Sequence, residues 1–147
     1  MVQVSEMQED LFAGNVSPKD AFQALQDTTE AILIDVRTQP EWVFSGTPNL
    51  TSINKKLQTI SWKLYPTMET NSEFTQMVAS VAPNTNTPLY FICKTGGRST
   101  DAAIAMTQAG YTQCYNLAEG FEGDRDGQGR RGNITGWKAA ELPWEQA

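Results

Sequence analysis

The sequence predicts an α/β fold, a central and mostly parallel β-sheet flanked by helices on both faces. Three observations carry this. Ala31-Ile32-Leu33-Ile34-Asp35-Val36 and Leu89-Tyr90-Phe91-Ile92 are near-continuous apolar runs, the pattern of strands covered on both sides rather than the alternation of a half-exposed sheet. Around them lie segments whose apolar residues recur at helical spacing. The stretch from Leu89 to Met106 reads as a strand, a tight glycine turn and a helix, and such alternation builds parallel sheets.

Taken in order, Ser17-Pro18 opens the first helix. Ser17 is a natural N-cap, and Pro18 sits in the first turn, where its missing N–H costs nothing. Ala21, Phe22 and Leu25 form the apolar stripe of that helix. The run 31–36 is the first strand, and Thr59-Ile60-Ser61-Trp62 alternates as a weaker one. Residues 71–81 read as a helix with Phe74, Met77, Val78 and Val81 on one side, followed by a loop over 83–88. Leu89 to Ile92 is the central strand. A helix over 100–109 ends at Gly110, and 113–117 forms another strand in which Cys114 packs into the core.

The 147 residues fit one domain spanning 1–147, with a full core. A formal charge of −6 argues against nucleic acid or an anionic membrane as the main partner. The two cysteines make no disulfide framework and show no zinc-ligand spacing, so neither a metal nor a cofactor is expected. Residues 1–7 lack the basic region and apolar core of a signal peptide, and no apolar run approaches membrane-spanning length. A cytoplasmic, reducing setting that keeps Cys93 free is the expectation.

Candidate chemistry concentrates in Cys93-Lys94-Thr95-Gly96-Gly97-Arg98-Ser99, directly after the central strand. Two glycines let the backbone curl until successive N–H groups point inward, and the next helix aims its positive end at the same place. Such a setting lowers a thiol's pKa into a range of roughly 3.5 to 7.5. A helix end supplies at most about 2 kcal/mol, so Arg98 and the loop amides are expected to supply the rest. The chain contains no histidine, which excludes a Cys-His pair. Lys94 and Arg98 also place positive charge at the mouth of the loop, which suits a small anionic substrate.

Plainer readings stand beside these. A cysteine ending a buried strand is most often a small core residue, but a core residue needs no glycine pair and arginine after it. Asp35 and Arg37, at the end of a buried strand, form either a structural ion pair or a support for the reactive loop. Asp124-x-Asp126 with Gly129 mimics a calcium loop, yet Arg130 and Thr135 stand where a backbone ligand and a bidentate glutamate belong. Arg125, Arg130 and Arg131 either lie over the site or belong to a solvated loop. Trp62 and Tyr65 either reach the site or simply pack, and packing is the commoner fate.

The cysteine loop, Leu33-Ile34-Asp35-Val36-Arg37 with Glu41-Trp42 behind it, and Ala109-Gly110-Tyr111 leading to Asn116-Leu117 together resemble the single-domain rhodanese-like sulfurtransferases. The resemblance covers about residues 17–121. Beyond it, 122–147 forms a Gly-rich loop and a C-terminal closure containing Trp137 and Trp144, similar to a bacterial branch of that family.

The resemblance implies transfer of a sulfane sulfur from an anionic donor such as thiosulfate, through a persulfide on Cys93, to cyanide or a thiol. A protein acceptor is a further partner it allows. Lys94, Thr95, Gly96, Gly97, Arg98 and Ser99 would hold the anionic sulfur, while Asp35 and Arg37 would lie behind them. Cysteine phosphatases place five residues between cysteine and arginine, whereas four separate Cys93 from Arg98 here, a ring better sized for one sulfur than for a phosphoryl group. A non-catalytic binding module and phosphatase or arsenate-reductase chemistry are the alternatives. The chain also departs from the family after Trp42, where Ser45-Gly46-Thr47-Pro48-Asn49 replaces a histidine-containing element.

Overall fold

The computed structural model describes residues 11–146, so the reading of residues 1–7 as free of a signal peptide lies outside the described part. Five strands form one parallel sheet: β1 (Gly14–Val16), β2 (Ile32–Asp35), β4 (Gln58–Thr59), β7 (Leu89–Ile92) and β8 (Cys114–Leu117), in the spatial order β1-β8-β7-β2-β4. The predicted central strand is central. Ile32 to Asp35 run beside Leu89 to Ile92, and Leu89 to Phe91 beside Cys114 to Asn116. Five α-helices lie wholly within the described residues and accompany the sheet: α1 (Pro18–Asp27), α2 (Gln39–Ser45), α3 (Phe74–Val81), α4 (Gly97–Gln108) and α5 (Gly136–Ala139). Two short antiparallel pairs complete it, β3 (Thr47–Pro48) with β9 (Trp144–Glu145) and β5 (Lys63–Leu64) with β6 (Glu69–Thr70).

The apolar runs have a simple cause. Successive strand residues point to opposite faces, and both faces are covered. Leu33, Tyr90, Ile92 and Leu117 meet Ala21 and Leu25 of α1 and Trp137 of α5. Ile34, Phe91 and Cys93 meet Phe74 and Val78 of α3 and Ala102, Ala103 and Met106 of α4. Fully burying each large side chain contributes about 1.5–3 kcal/mol, so four-residue strands suffice. Ser17 caps α1 as expected, its Oγ accepting the Asp20 N–H at 3.1 Å. Among the described residues no helix is long and apolar enough to cross a membrane.

One strand is unexpected and four expectations need correction. β1 has no apolar run to announce it, and its residues are extended because they pair along β8. The ladder of β4 stops at Thr59, although the Ile60 and Trp62 amides still donate to the Asp35 and Val36 carbonyls, each at 3.0 Å. α3 starts at Phe74 rather than 71, because the Asn71 side chain accepts the Glu73 N–H at 3.0 Å and holds a turn there. Met77 is 41 % exposed and does not share the buried side of Phe74 and Val78. Finally, α4 begins at Gly97, three residues before the predicted start, so the cysteine loop feeds directly into it.

Candidate active site

Cys93 follows β7 at the carboxyl edge of the central strand, where a parallel α/β sheet collects the N-termini of its helices. Two polar groups face the sulfur. The Gly96 N–H lies 3.0 Å from Sγ, and Ser99 Oγ lies 3.2 Å away. Gly96 caps α4 with φ of 108°, the left-handed conformation that turns its amide inward, and a Cβ there would lie 2.2 Å from the Ala118 carbonyl oxygen. Thr95 and Gly97 are exposed and Lys94 is half-buried, so the loop's outer rim faces solvent while the sulfur stays covered at 1 % exposure.

An inward-facing amide requires that the loop's carbonyls find partners elsewhere. The chain after β8 provides them. Phe121 N–H donates to the Cys93 carbonyl at 2.8 Å, and the amides of Glu122 and Gly123 both donate to the Lys94 carbonyl, at 3.0 and 3.2 Å. The Gly96 carbonyl is held from the other side by the Thr100 hydroxyl at 2.7 Å. Gly120 makes this approach possible, since a Cβ at that position would stand 2.4 Å from the Lys94 carbonyl oxygen.

Arg98 clamps the loop to α2. Its Nη1 and Nη2 lie 2.7 and 2.8 Å from the two carboxylate oxygens of Glu41, a forked geometry that orients as well as attracts. Burial pushes the Glu41 carboxyl up, but the Arg98 bonds and charge, with the Thr38 donors, outweigh it and hold the group at about 2. Part of the positive charge expected to act on Cys93 is therefore shared with a carboxylate.

Asp35 and Arg37 form a buried ion pair with both side chains at 0 % exposure. Arg37 Nε donates to Asp35 Oδ1 at 2.9 Å and Nη2 to Oδ2 at 2.7 Å, while Nη2 also reaches the Gly46 carbonyl at 2.8 Å. The guanidinium carbon lies 4.4 Å from the centre of the Phe121 ring. Since the Phe121 amide holds the Cys93 carbonyl, the pair touches the loop through one residue, and it fits both of the readings weighed for it.

Other candidates are placed elsewhere. Trp62 packs edge-on against Phe74 at 5.1 Å, and Tyr65 is exposed beside β5. Arg125 and Arg130 are exposed, and Arg131 donates to the Gly123 carbonyl at 2.7 Å. Asp126 closes its own turn by accepting from the Gln128 and Arg130 amides and the Asn133 side chain. Trp137 is fully buried among α1 and sheet residues, and its indole N–H donates to the Pro143 carbonyl at 2.7 Å, whereas Trp144 is exposed. Cys114 is a buried core residue, and burial pushes its thiol up to about 11.

The residues that sequence reasoning did not assign to the site are Glu41, Asn116, Phe121 and Lys138. Thr38-x-x-Glu41 carries a capping-box signature, and Glu41 does accept from the Thr38 amide and hydroxyl, but nothing local announces its second bond to Arg98. Lys138 Nζ sits 4.1 Å from the Trp144 ring centre and 5.1 Å from that of Phe121, contacts made only by the folded tail.

A parallel sheet carrying a cysteine loop between its central strand and the next helix is the architecture of the rhodanese-like proteins. The chain belongs to that family, in the branch described as the STR4 middle domain, whose family model matches residues 13–147. It is 34 % identical over 131 residues to the uncharacterized protein RP600 homolog of Rickettsia rickettsii, covering 89 % of this chain and 96 % of that one. It is 28 % identical to the chloroplastic protein THYLAKOID RHODANESE-LIKE of Oryza sativa subsp. indica, again over 89 % of this chain but only 25 % of the larger plant protein. Among solved structures, Rv0390 from M. tuberculosis superimposes with a TM-score of 0.84 at 38 % identity, covering 92 % of this chain and 99 % of that one. The polysulfide-sulfur transferase homodimer of Wolinella succinogenes shares the fold with a TM-score of 0.64 at 22 % identity, covering 96 % and 85 %.

Proposed function

We propose that this protein is a sulfurtransferase that carries a sulfane sulfur on Cys93. The observation that supports the reading best is the Gly96 N–H turned onto Cys93 Sγ at the start of α4, with the Ser99 hydroxyl 3.2 Å away, in a chain without histidine. The thiolate attacks the outer sulfur of an anionic donor such as thiosulfate. A bond from Sγ to that sulfur forms, the donor's S–S bond breaks, and sulfite leaves with the electron pair. The negative charge then rests on the outer sulfur of the persulfide, at the rim formed by Lys94, Thr95, Gly97 and Arg98. Cyanide or an acceptor thiolate, free or on a protein, attacks the outer sulfur and releases the Cys93 thiolate, so a difficult transfer becomes two easier displacements.

The Arg98 geometry favours this chemistry over phosphoryl transfer. A phosphatase loop turns its arginine onto the substrate oxygens, whereas here both arms of the guanidinium are taken by Glu41. Intact-mass spectrometry after thiosulfate treatment tests the proposal. A gain of about 32 Da that cyanide removes and that Cys93→Ser lacks is the expected result. No adduct with any sulfane donor would leave a non-catalytic binding module as the reading to pursue.

A further inference from the structure

Behind the cysteine loop the buried side chains of Ser99 and Asn116 lead from Cys93 to half-buried Thr100 and exposed Asn15, with one proton fewer than the acceptors can use. Asn116, in β8 and 2 % exposed, donates from Nδ2 to Asn15 Oδ1 and Thr100 Oγ1, both at 2.9 Å. Thr100 spends its own hydroxyl proton on the Gly96 carbonyl, so the group that faces it must be a donor. The Asn116 amide is oriented by this network, and its Oδ1 is left pointing at Ser99. Ser99 Oγ lies 2.5 Å from Asn116 Oδ1 and 3.2 Å from Cys93 Sγ.

Ser99 has a single proton to offer. While Cys93 is a neutral thiol, the chain is satisfied: S–H donates to Ser99 Oγ, and Ser99 donates to Asn116. When the sulfur ionises it can only accept. Ser99 must then turn its proton to the sulfur and leave a buried amide oxygen without a donor, or stay with Asn116 and present lone pairs to an anion. Either way the thiolate is less favoured than it would be beside a serine whose proton Asn116 did not claim. Once sulfur has been taken up the conflict ends, because the charge moves to the outer atom and Ser99 can return its proton to Asn116. We infer that Asn116 is a positioning residue that, by claiming the Ser99 proton, restrains Cys93 from ionising at rest and favours the loaded persulfide over the empty thiolate. The second half rests on the sulfur-transfer reading; the first does not.

The charged groups on the elements packed beside the loop are Arg98 of α4, with Glu41 of α2 on its guanidinium, Asp35 at the end of β2 paired to Arg37, Lys94 of the loop, and Glu119 and Glu122 in the turn after β8. Among the described residues none of them bonds to Ser99 or Asn116. Asn116 meets the sulfur's surroundings at two places, at Ser99 and, through Thr100, at Gly96, whose N–H lies on Sγ; the Ser99→Ala background separates the two routes.

The test is the pH dependence of Cys93 alkylation by iodoacetamide, read by site-resolved mass spectrometry in wild type, Asn116→Ala, Asn116→Leu, Ser99→Ala and the double variants. Freeing Ser99 in either Asn116 variant should increase alkylation below the midpoint about threefold to tenfold, the size of one hydrogen bond. Ser99→Ala by itself should leave the midpoint unchanged or slightly lower, and in that background Asn116→Ala and Asn116→Leu should have no effect. A midpoint raised by Ser99→Ala, or an Asn116 effect that persists without Ser99, would overturn the inference. If the Asn116 variants do not fold, the Ser99→Ala result decides by itself. A second readout is the fraction of wild type and Asn116→Ala that carries persulfide at a fixed ratio of thiosulfate to sulfite, expected to fall in the variant. Failure of wild type to load would count against sulfur transfer and leave the alkylation result standing.

Discussion

Cys93 and Cys114 lie on neighbouring strands of one sheet, at opposite edges. Cys93 follows the carboxyl end of β7, and Cys114 opens β8, in register beside Leu89 at the amino end. Both are buried, at 1 % and 0 % exposure, so burial does not separate them. What separates them is the direction of the neighbouring backbone. At the carboxyl edge a helix begins, and an N–H and a hydroxyl face Cys93 Sγ. At the amino edge Cys114 Sγ faces the Tyr111 carbonyl at 3.9 Å, and burial raises its thiol to about 11. Parallel topology gives every strand two unlike ends, and only one of them welcomes negative charge.

The sharpest way to break this comparison is to remove each sulfur in turn. Cys93→Ser should lower steady-state sulfur transfer by at least about 10⁴-fold, while Cys114→Ser leaves kcat/KM within about twofold of wild type. A comparable loss in both would make the edge irrelevant. Next in size is the ion pair that supports the carboxyl edge. Asp35→Asn leaves Arg37 charged and buried, and urea unfolding should show a loss of about 3–5 kcal/mol.

Gly96→Ala should act on the loop more locally, because the Cβ would meet the Ala118 carbonyl and the φ of 108° disfavours any side chain. About 1–3 kcal/mol of stability should be lost, and sulfur transfer should fall more than the unfolding midpoint accounts for. A smaller effect follows from Glu41, whose carboxyl is held at about 2, below its ordinary 4.5. A depressed folded pKa gives stability that is fully present above 4.5 and lost as pH falls towards 2, so Glu41→Gln should flatten the acid side of the stability profile between those values. Smallest is the alkaline counterpart. Cys114, raised from 9.0 to about 11, makes unfolding easier as pH climbs through that interval, and Cys114→Ala should be less sensitive there by thermal melting.

How legible the molecule was follows the same edges. The runs around Leu33 and Phe91, the Ser17 cap and the strand-loop-helix at Cys93 were readable because each is a local pattern with a local cause. β1 was not, because Gly14-Asn15-Val16 becomes a strand only by lying along Tyr115 to Leu117. Arg98 was found at the loop, but its partner Glu41 lies 57 residues away in sequence, and no spacing rule connects them. Phe121 reaches the site through its backbone amide, which side-chain identity does not reveal. Local chemistry shows in a sequence; what long-range contacts do with it does not.

One contact pair has a practical consequence for engineering. Gly96 meets the backbone at Ala118, and Gly120 meets the backbone at Lys94, each so closely that a methyl group would collide. The heptapeptide 93–99 is thus half of an interlocked joint, and the other half arrives only after the last strand of the sheet. Grafting that heptapeptide onto a foreign strand-helix junction would transplant a cysteine without its shape. A working chimera must carry the 118–123 turn as well, and a truncation that ends at Leu117 would retain the whole sheet yet lose the mould.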